Sequence, residues 1–386
     1  MTYHRSATCD YIYRPYDNVT MAETAVRKEN HALRTVTTVM MLFIAIVHYD
    51  SCMTILGFSV HNIVKNIGRF VIPVFVLISG YYCYSKDGHA EARIKQKALH
   101  ILYLIIFYKI FYLIFTGSFV IAGVIPFENL VYEFFVVTPA YYVETYNGLH
   151  DMSYTQSIWF LYALLLMYIF WYILYRFRID FKWSWLIAGP VLIACLLMGE
   201  FLPMFGIYWI GDFNIIDTIA STMYPFVAIP FFVIGYYLHK YKERFDERFS
   251  NRDIWLILFF GTALMCVEAA LVANSKIIYL GSVIVAIFIF MATFRVPEDR
   301  GRFPVLEYMG RYMTVWIYVY FGATTFLIRY LMQPYCHEYF LCEVVGPFVA
   351  LLMTVEMAYF TALILMRKGK TKAPVQRKTD EPAISN

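Results

Sequence analysis

Three polar residues stand where the surrounding sequence is almost wholly apolar. His48 and Asp50 fall in the run 35–57 (TVTTVMMLFIAIVHYDSCMTILG), and Arg69 falls in the run 66–84 (NIGRFVIPVFVLISGYYCY). An imidazole titrates near neutral pH, so His48 can serve as a general base. The chemistry that fits is removal of a hydroxyl proton as that oxygen attacks an acyl carbon, because a hydroxyl is a weak nucleophile until its proton is leaving. Asp50 is badly placed to orient His48, since residues two apart on a helix point about 200° apart. Arg69 supplies a guanidinium that can hold a carboxylate, a phosphate or the oxyanion that develops in acyl transfer. Plainer roles fit as well: His48 can bond a neighbouring helix, and Arg69 can reach up to lipid head groups.

The two runs that carry these residues must be helices. At about 1.5 Å per residue, roughly 20 apolar residues cross a hydrocarbon core of about 30 Å. An ionisable side chain inside such a span costs several kcal/mol unless it faces protein or water. His48 follows Arg34 by 14 positions, roughly 21 Å along a helix, and Arg69 opens a span running the opposite way. Both therefore belong to the outer half, and the expectation is that they face each other and line a reaction site.

Composition sets the class. Hydrophobic residues make up 60%, charged residues 16% and aromatics 19%, against about half apolar and a quarter charged in soluble domains. The chain is expected to be an all-α polytopic membrane protein with about ten transmembrane helices, at 35–57, 66–84, 98–115, 158–175, 184–201, 223–239 (broken by Pro225 and Pro230), 254–273, 277–294, 306–329 and 342–366. Residues 1–33 form a polar cytoplasmic leader expected to be disordered, 34–366 the membrane domain, and 367–386 a basic cytoplasmic tail.

The net charge of +4 is small, and its distribution argues topology rather than nucleic-acid binding. Lys86, Arg93, Lys95, Lys97, Arg176, Lys182, Lys240, Arg244, Arg295 and the tail fall on one side of a ten-span count, while 116–157 and 202–222 contain no Lys or Arg. By the positive-inside rule both termini are cytoplasmic, and the plasma membrane is the expected location.

Several stretches in order resemble the acyltransferase 3 family of membrane acyltransferases. The run 68–81, GRFVIPVFVLISGY, is similar to that family's second helix, with Arg69, Pro73, Phe75, Ser79, Gly80 and Tyr81 at its signature positions. The first helix, from Leu33 and Arg34 to His48, looks like its Arg-to-His helix. Trp159, Phe160 and Leu161 resemble its Trp-Phe-Leu motif, and 224–237 (YPFVAIPFFVIGYY) a later Pro-Phe-Phe-x-x-Gly-Tyr helix. The resemblance implies an integral-membrane O-acyltransferase that moves an acyl group, often acetyl, from cytoplasmic acyl-CoA to a hydroxyl of a surface glycan or lipid-linked sugar. It places the essential histidine at His48. Acyl-CoA is then a donor substrate, and no bound cofactor is expected. The chain departs from the family where its usual arginine position holds Thr37, with Arg34 three residues earlier. Ser157 and Ile158 precede Trp159 where a histidine is frequent, and Thr314 to Tyr318 ends at Phe321 where a histidine commonly follows.

An acyl-CoA donor needs cations for its phosphates on the inner side. Arg34, Arg93, Lys95 and Lys97 gather at the inner ends of the first three spans, with Ser79 nearby, although topology alone also asks for basic residues there. On the outer side Glu144, Glu128, Glu133 and Asp151 mix with Tyr132, Tyr141, Tyr142 and Tyr146, a composition that suits a sugar, as Trp159 does, and equally suits an interfacial belt. Glu200 and Glu268, near outer span ends, are expected to be wetted, and Lys109 and Glu356 to sit deeper with partners. The seven cysteines show no metal spacing, and Cys336 and Cys342 flank the last outer loop. A transporter or flippase is the competing class, since proline-broken helices and intramembrane charges also suit a substrate path. A third reading is a non-catalytic module that keeps this fold. The ordered motif set favours the enzyme.

Overall fold

The computed structural model describes residues 30–49, 54–55, 58–59, 65–84, 90–127, 130, 158–177, 181–207, 209–210, 213–214, 227–271, 278–297, 302–332 and 344–370. Among the described residues, twelve α-helices of seven residues or more carry the fold: α1 (His31–Val47), α2 (Val71–Tyr81), α3 (Ala90–Ile121), α4 (Trp159–Arg176), α5 (Trp185–Leu196), α6 (Ile229–Lys240), α7 (Lys242–Arg248), α8 (Asn251–Leu271), α9 (Leu280–Thr293), α10 (Pro304–Tyr312), α11 (Thr314–Met332) and α12 (Gly346–Lys370). A 3₁₀ turn over Gly68–Phe70 leads into α2, and α5 runs on through a π-helical turn, Leu197–Phe201. Two antiparallel ladders of two residues each complete the description: β1 (Thr54–Ile55) with β2 (Phe58–Ser59), and β3 (Trp209–Ile210) with β4 (Phe213–Asn214). Among the described residues, six helical stretches are long and apolar enough to cross a membrane: Ala90–Ile121, Trp159–Arg176, Phe181–Met204, Asn251–Leu271, Thr314–Met332 and Gly346–Arg367. His31–Val47 and Leu280–Thr293 are apolar and shorter. The protein is therefore a multi-pass helical membrane protein.

Several boundaries differ from those expected, for local reasons. The first helix starts earlier and ends sooner than 35–57. Asn30 caps it, its Oδ1 accepting from Leu33 N at 2.8 Å, so residues 31–33 are helix and not leader. Past Val47 the chain leaves the helix, and the β-branched pair Thr54–Ile55 lies in a strand. The third helix starts before the expected residue 98: α3 begins at Ala90, because Ala, Glu, Arg, Lys and Gln are all good helix formers whatever their charge. Pro230 does not break its helix. It sits in the first turn of α6, where no intrahelical N–H is needed. The ninth span is two helices with a break at Met313, where Thr314 Oγ1 turns back towards the carbonyls of Met309 and Gly310, both at 3.3 Å. At the head of α8, Ser250 and Asp253 bond each other's backbone N–H reciprocally, at 2.8 and 3.2 Å, as a capping box.

Two buried clusters form around these helices. One joins α2, α4, α5, α6, α8 and α9, with Trp171, Phe231, Phe232 and Phe290 at its centre. The other joins α1, α3, α4, α10, α11 and α12 around Tyr108, Tyr112, Ile317 and Phe321. Of the six candidate spans, α11 is by far the most enclosed, 61% of its apolar window being buried against 22–33% for the others. Tyr112 ties α3 to it, its hydroxyl donating to Val319 O and accepting from Ala323 N, both at 3.0 Å. Ile44, Phe75, Ile101 and Phe160 pack against both clusters and mark the seam between them.

Candidate active site

His48 closes α1. Its N–H bonds to Ile44 O at 3.1 Å, and its ring Nδ1 lies 2.8 Å from the same carbonyl. A carbonyl can only accept, so Nδ1 carries the hydrogen and Nε2 is the acceptor nitrogen of the neutral ring. The orienting group that sequence reading could not find is thus a backbone atom of the helix's own last turn. Asp50 lies outside the described residues. The ring of His48 also packs on Phe321 of α11, centroid to centroid 5.0 Å at 57°.

From Phe321 a chain of aromatic contacts crosses the seam. Phe321 meets Tyr318 at 5.9 Å, Tyr318 meets Phe160 at 6.1 Å, and Phe160 meets both Phe75 at 6.2 Å and Trp159 at 6.0 Å, mostly edge to face. The motif-bearing residues of α1, α2, α4 and α11 therefore meet on one wall. Sequence reading singled out Trp159 and His48. It missed Phe321 and Tyr318 as neighbours of His48, although Phe321 stands at the very position where the late motif departs from its family pattern.

Arg69 sits in the 3₁₀ turn before α2. Its Nε and Nη2 donate to Asn66 Oδ1 at 3.2 and 3.1 Å, and its Cζ lies 5.4 Å from the ring centre of Tyr279. These contacts face α9, whereas the described contacts of His48 face α11. The neighbouring Gly68 packs on Phe43 of α1, one turn before His48. Glu200 and Glu268 correct an expectation: they are not wetted but buried, with 1% and 5% exposure. Each carboxylate accepts from a backbone N–H at the start of α9, which removes the need for water. Glu356 is exposed on the outside of α12, and Lys109 is half-buried on α3.

The C-terminal end of α2 is ringed by bases. Lys97 Nζ donates to Ser79 O at 3.2 Å, His239 Nδ1 to Tyr81 O at 2.7 Å and Arg93 Nη1 to Tyr84 O at 2.6 Å. Cations suit the last carbonyls of a helix, where its dipole is negative. The His239 ring stacks on Tyr81 at 4.1 Å and 16° and reaches Tyr84 at 4.9 Å, while Lys97 lies over Tyr82. Ser79 Oγ turns back to Phe75 O at 3.0 Å. Arg93, Lys97 and Ser79 are thus brought together, and His239 joins them unforeseen, although it ends a helix whose motif was noted. Arg34 is placed elsewhere. Its carbonyl accepts from Thr37 and Thr38, and Thr38 Oγ1 also donates to Leu306 O at 2.9 Å, which joins this end of α1 to α10. His31 Nδ1 lies within hydrogen-bond distance of Glu307 Oε2 there, at 2.7 Å. Glu144 and the acidic and aromatic residues of 131–157 lie outside the described residues, as do Cys336 and Cys342.

The chain is thus a helical multi-pass protein with an oriented histidine where α1 meets α11. A family model described as an acyltransferase domain matches residues 31–367, most of the chain, and the chain belongs to that family, acyltransferase 3. Neither a curated protein nor a solved structure gave a match.

Proposed function

We propose that this acyltransferase moves an acyl group, in the first instance acetyl, from cytoplasmic acyl-CoA to a hydroxyl of a cell-surface or lipid-linked glycan at the plasma membrane. The observation that carries this reading is the bond from His48 Nδ1 to Ile44 O. It leaves Nε2 as the basic nitrogen at the seam where the motif helices meet. In the reaction the acceptor oxygen attacks the thioester carbonyl as its proton passes to Nε2. A C–O bond forms, the C–S bond breaks, and coenzyme A leaves as a thiol after taking the proton from the imidazolium. Arg69 steadies the oxyanion of the tetrahedral intermediate. On the inner side Arg93 and Lys97, beside Ser79 at the end of α2, receive the phosphates of the donor, and Arg34 offers a separate cation at the start of α1. On the outer side Trp159 and Glu144 contact the sugar.

Binding of acetyl-CoA tests the inner part of this reading. Neutralising Arg34 or Arg93 is expected to weaken binding to the purified protein more than neutralising Arg377 in the tail does. Equal losses at all three would indicate bulk charge and no site. The orientation, with ten spans and both termini inside, has its own test. In a background without native cysteines, Asn147→Cys should react with an impermeant maleimide added to whole cells, and Glu243→Cys should not. Labelling of residue 243 alone would reverse the orientation.

A further inference from the structure

The His48 wall and the inner bases leave one buried polar group without a role: the carboxylate pair at the start of α9. Glu200 Oε2 accepts from Leu280 N and Glu268 Oε2 from Gly281 N, both at 2.8 Å. These are the first amides of α9, which a helix cannot satisfy internally. Tyr279, at the N-cap, makes no side-chain capping bond to these amides. Two carboxylates from two other helices therefore do the capping, at the positive end of the helix dipole.

The segment they clamp carries Tyr279. Its backbone is extended (φ −105°, ψ 154°), and its ring is fully buried against Met265, with Ile67 and Phe70 of the Arg69 turn packed around the pair. The face of that ring lies 5.4 Å from the Arg69 guanidinium, whose other described partner is Asn66. A cation over an aromatic face is held by the ring's quadrupole, and the hold lasts only while the ring is fixed. We propose that Glu200 and Glu268 are positioning residues for Arg69: by capping the first two amides of α9 they fix Tyr279, and the fixed ring aims the guanidinium. The inference rests on the reading of Arg69 as part of the transfer site.

The test uses membranes holding the full chain, acetyl-CoA as donor, and base-labile acetyl on the endogenous glycan fraction as product, normalised to folded protein. Misplacing a catalytic group by about 1 Å costs up to about a hundredfold, so Glu200→Ala and Glu268→Ala should each lower kcat about tenfold or more. The KM for acetyl-CoA should not move. Glu→Gln keeps a carbonyl oxygen for the amide and should restore most of the loss, and Tyr279→Leu, which removes the ring that holds the guanidinium, should lower kcat as the alanine variants do. Adding Glu268→Ala to Arg69→Lys should cost little beyond Arg69→Lys alone, since coupled residues are non-additive. Alanine variants that lose protein but keep full kcat per folded molecule, or an additive loss in the Arg69→Lys background, would overturn the proposal while leaving Arg69 in the site. An Arg69→Lys enzyme with full activity would remove Arg69 from the site and this proposal with it.

Discussion

His48→Ala is expected to reach the membrane at the level of the unaltered protein and to transfer about 10² to 10⁴ times more slowly, the usual effect of removing a positioned base. The fold should survive for a local reason. His48 stands just past the end of α1, where its ring bonds the carbonyl of Ile44 in its own last turn and packs on Phe321. Alanine is well tolerated there and in lipid. Truncating a structural histidine would do the opposite: it would lower the amount of folded protein and leave the rate per molecule unchanged. Initial rates normalised to detergent-extracted, monodisperse protein separate the two.

Gly80→Leu and Gly235→Leu are expected to act on the fold, and strongly. Helices α2 and α6 cross at backbone contact. A Cβ on Gly80 would run into the backbone of Phe232, and a Cβ on Gly235 into the backbone of Leu77. Small residues permit such approach between membrane helices. Overpacking commonly costs about 1–3 kcal/mol, and more where, as here, the obstacle is main chain and cannot rotate aside. Either variant should lose most of its monodisperse protein by size-exclusion chromatography. Unchanged yield and melting temperature would mean that the crossing is looser than it looks. The glycines of the Ser-Gly-Tyr and Gly-Tyr-Tyr motifs thus have a packing reason, and the activity they accompany depends on it indirectly.

Most of the helices were legible because lipid-facing length and apolarity are written directly in composition. The runs that became α4, α8 and α12 needed nothing else. What hydropathy could not show was where hydrogen bonds go. The run after His48 is apolar enough to prolong a span, yet α1 stops at Val47, and Thr54–Ile55 pairs as a strand. The charged stretch from Ala90 reads as a link because charge is taken for solvent exposure, while its helix propensity and the carbonyls awaiting Arg93 and Lys97 at the end of α2 keep it helical. Glu200 and Glu268 read as wetted because their partners, two amides at the head of a distant helix, have no sequence signature. The partner that orients His48 is hidden in the same way, since a main-chain carbonyl carries no residue identity. The site's residues were therefore named more readily than its geometry, and His239 was missed because nothing near it in sequence marks the end of α2.

The central claim, acyl transfer to a glycan hydroxyl with His48 as base, is tested most directly by mass spectrometry of the surface-glycan fraction. The comparison is between cells lacking this gene, cells carrying it, and cells carrying His48→Ala at matched protein level. Base-labile acyl groups should be present with the unaltered chain and absent both without the gene and with His48→Ala. Identical acylation in all three would contradict the account.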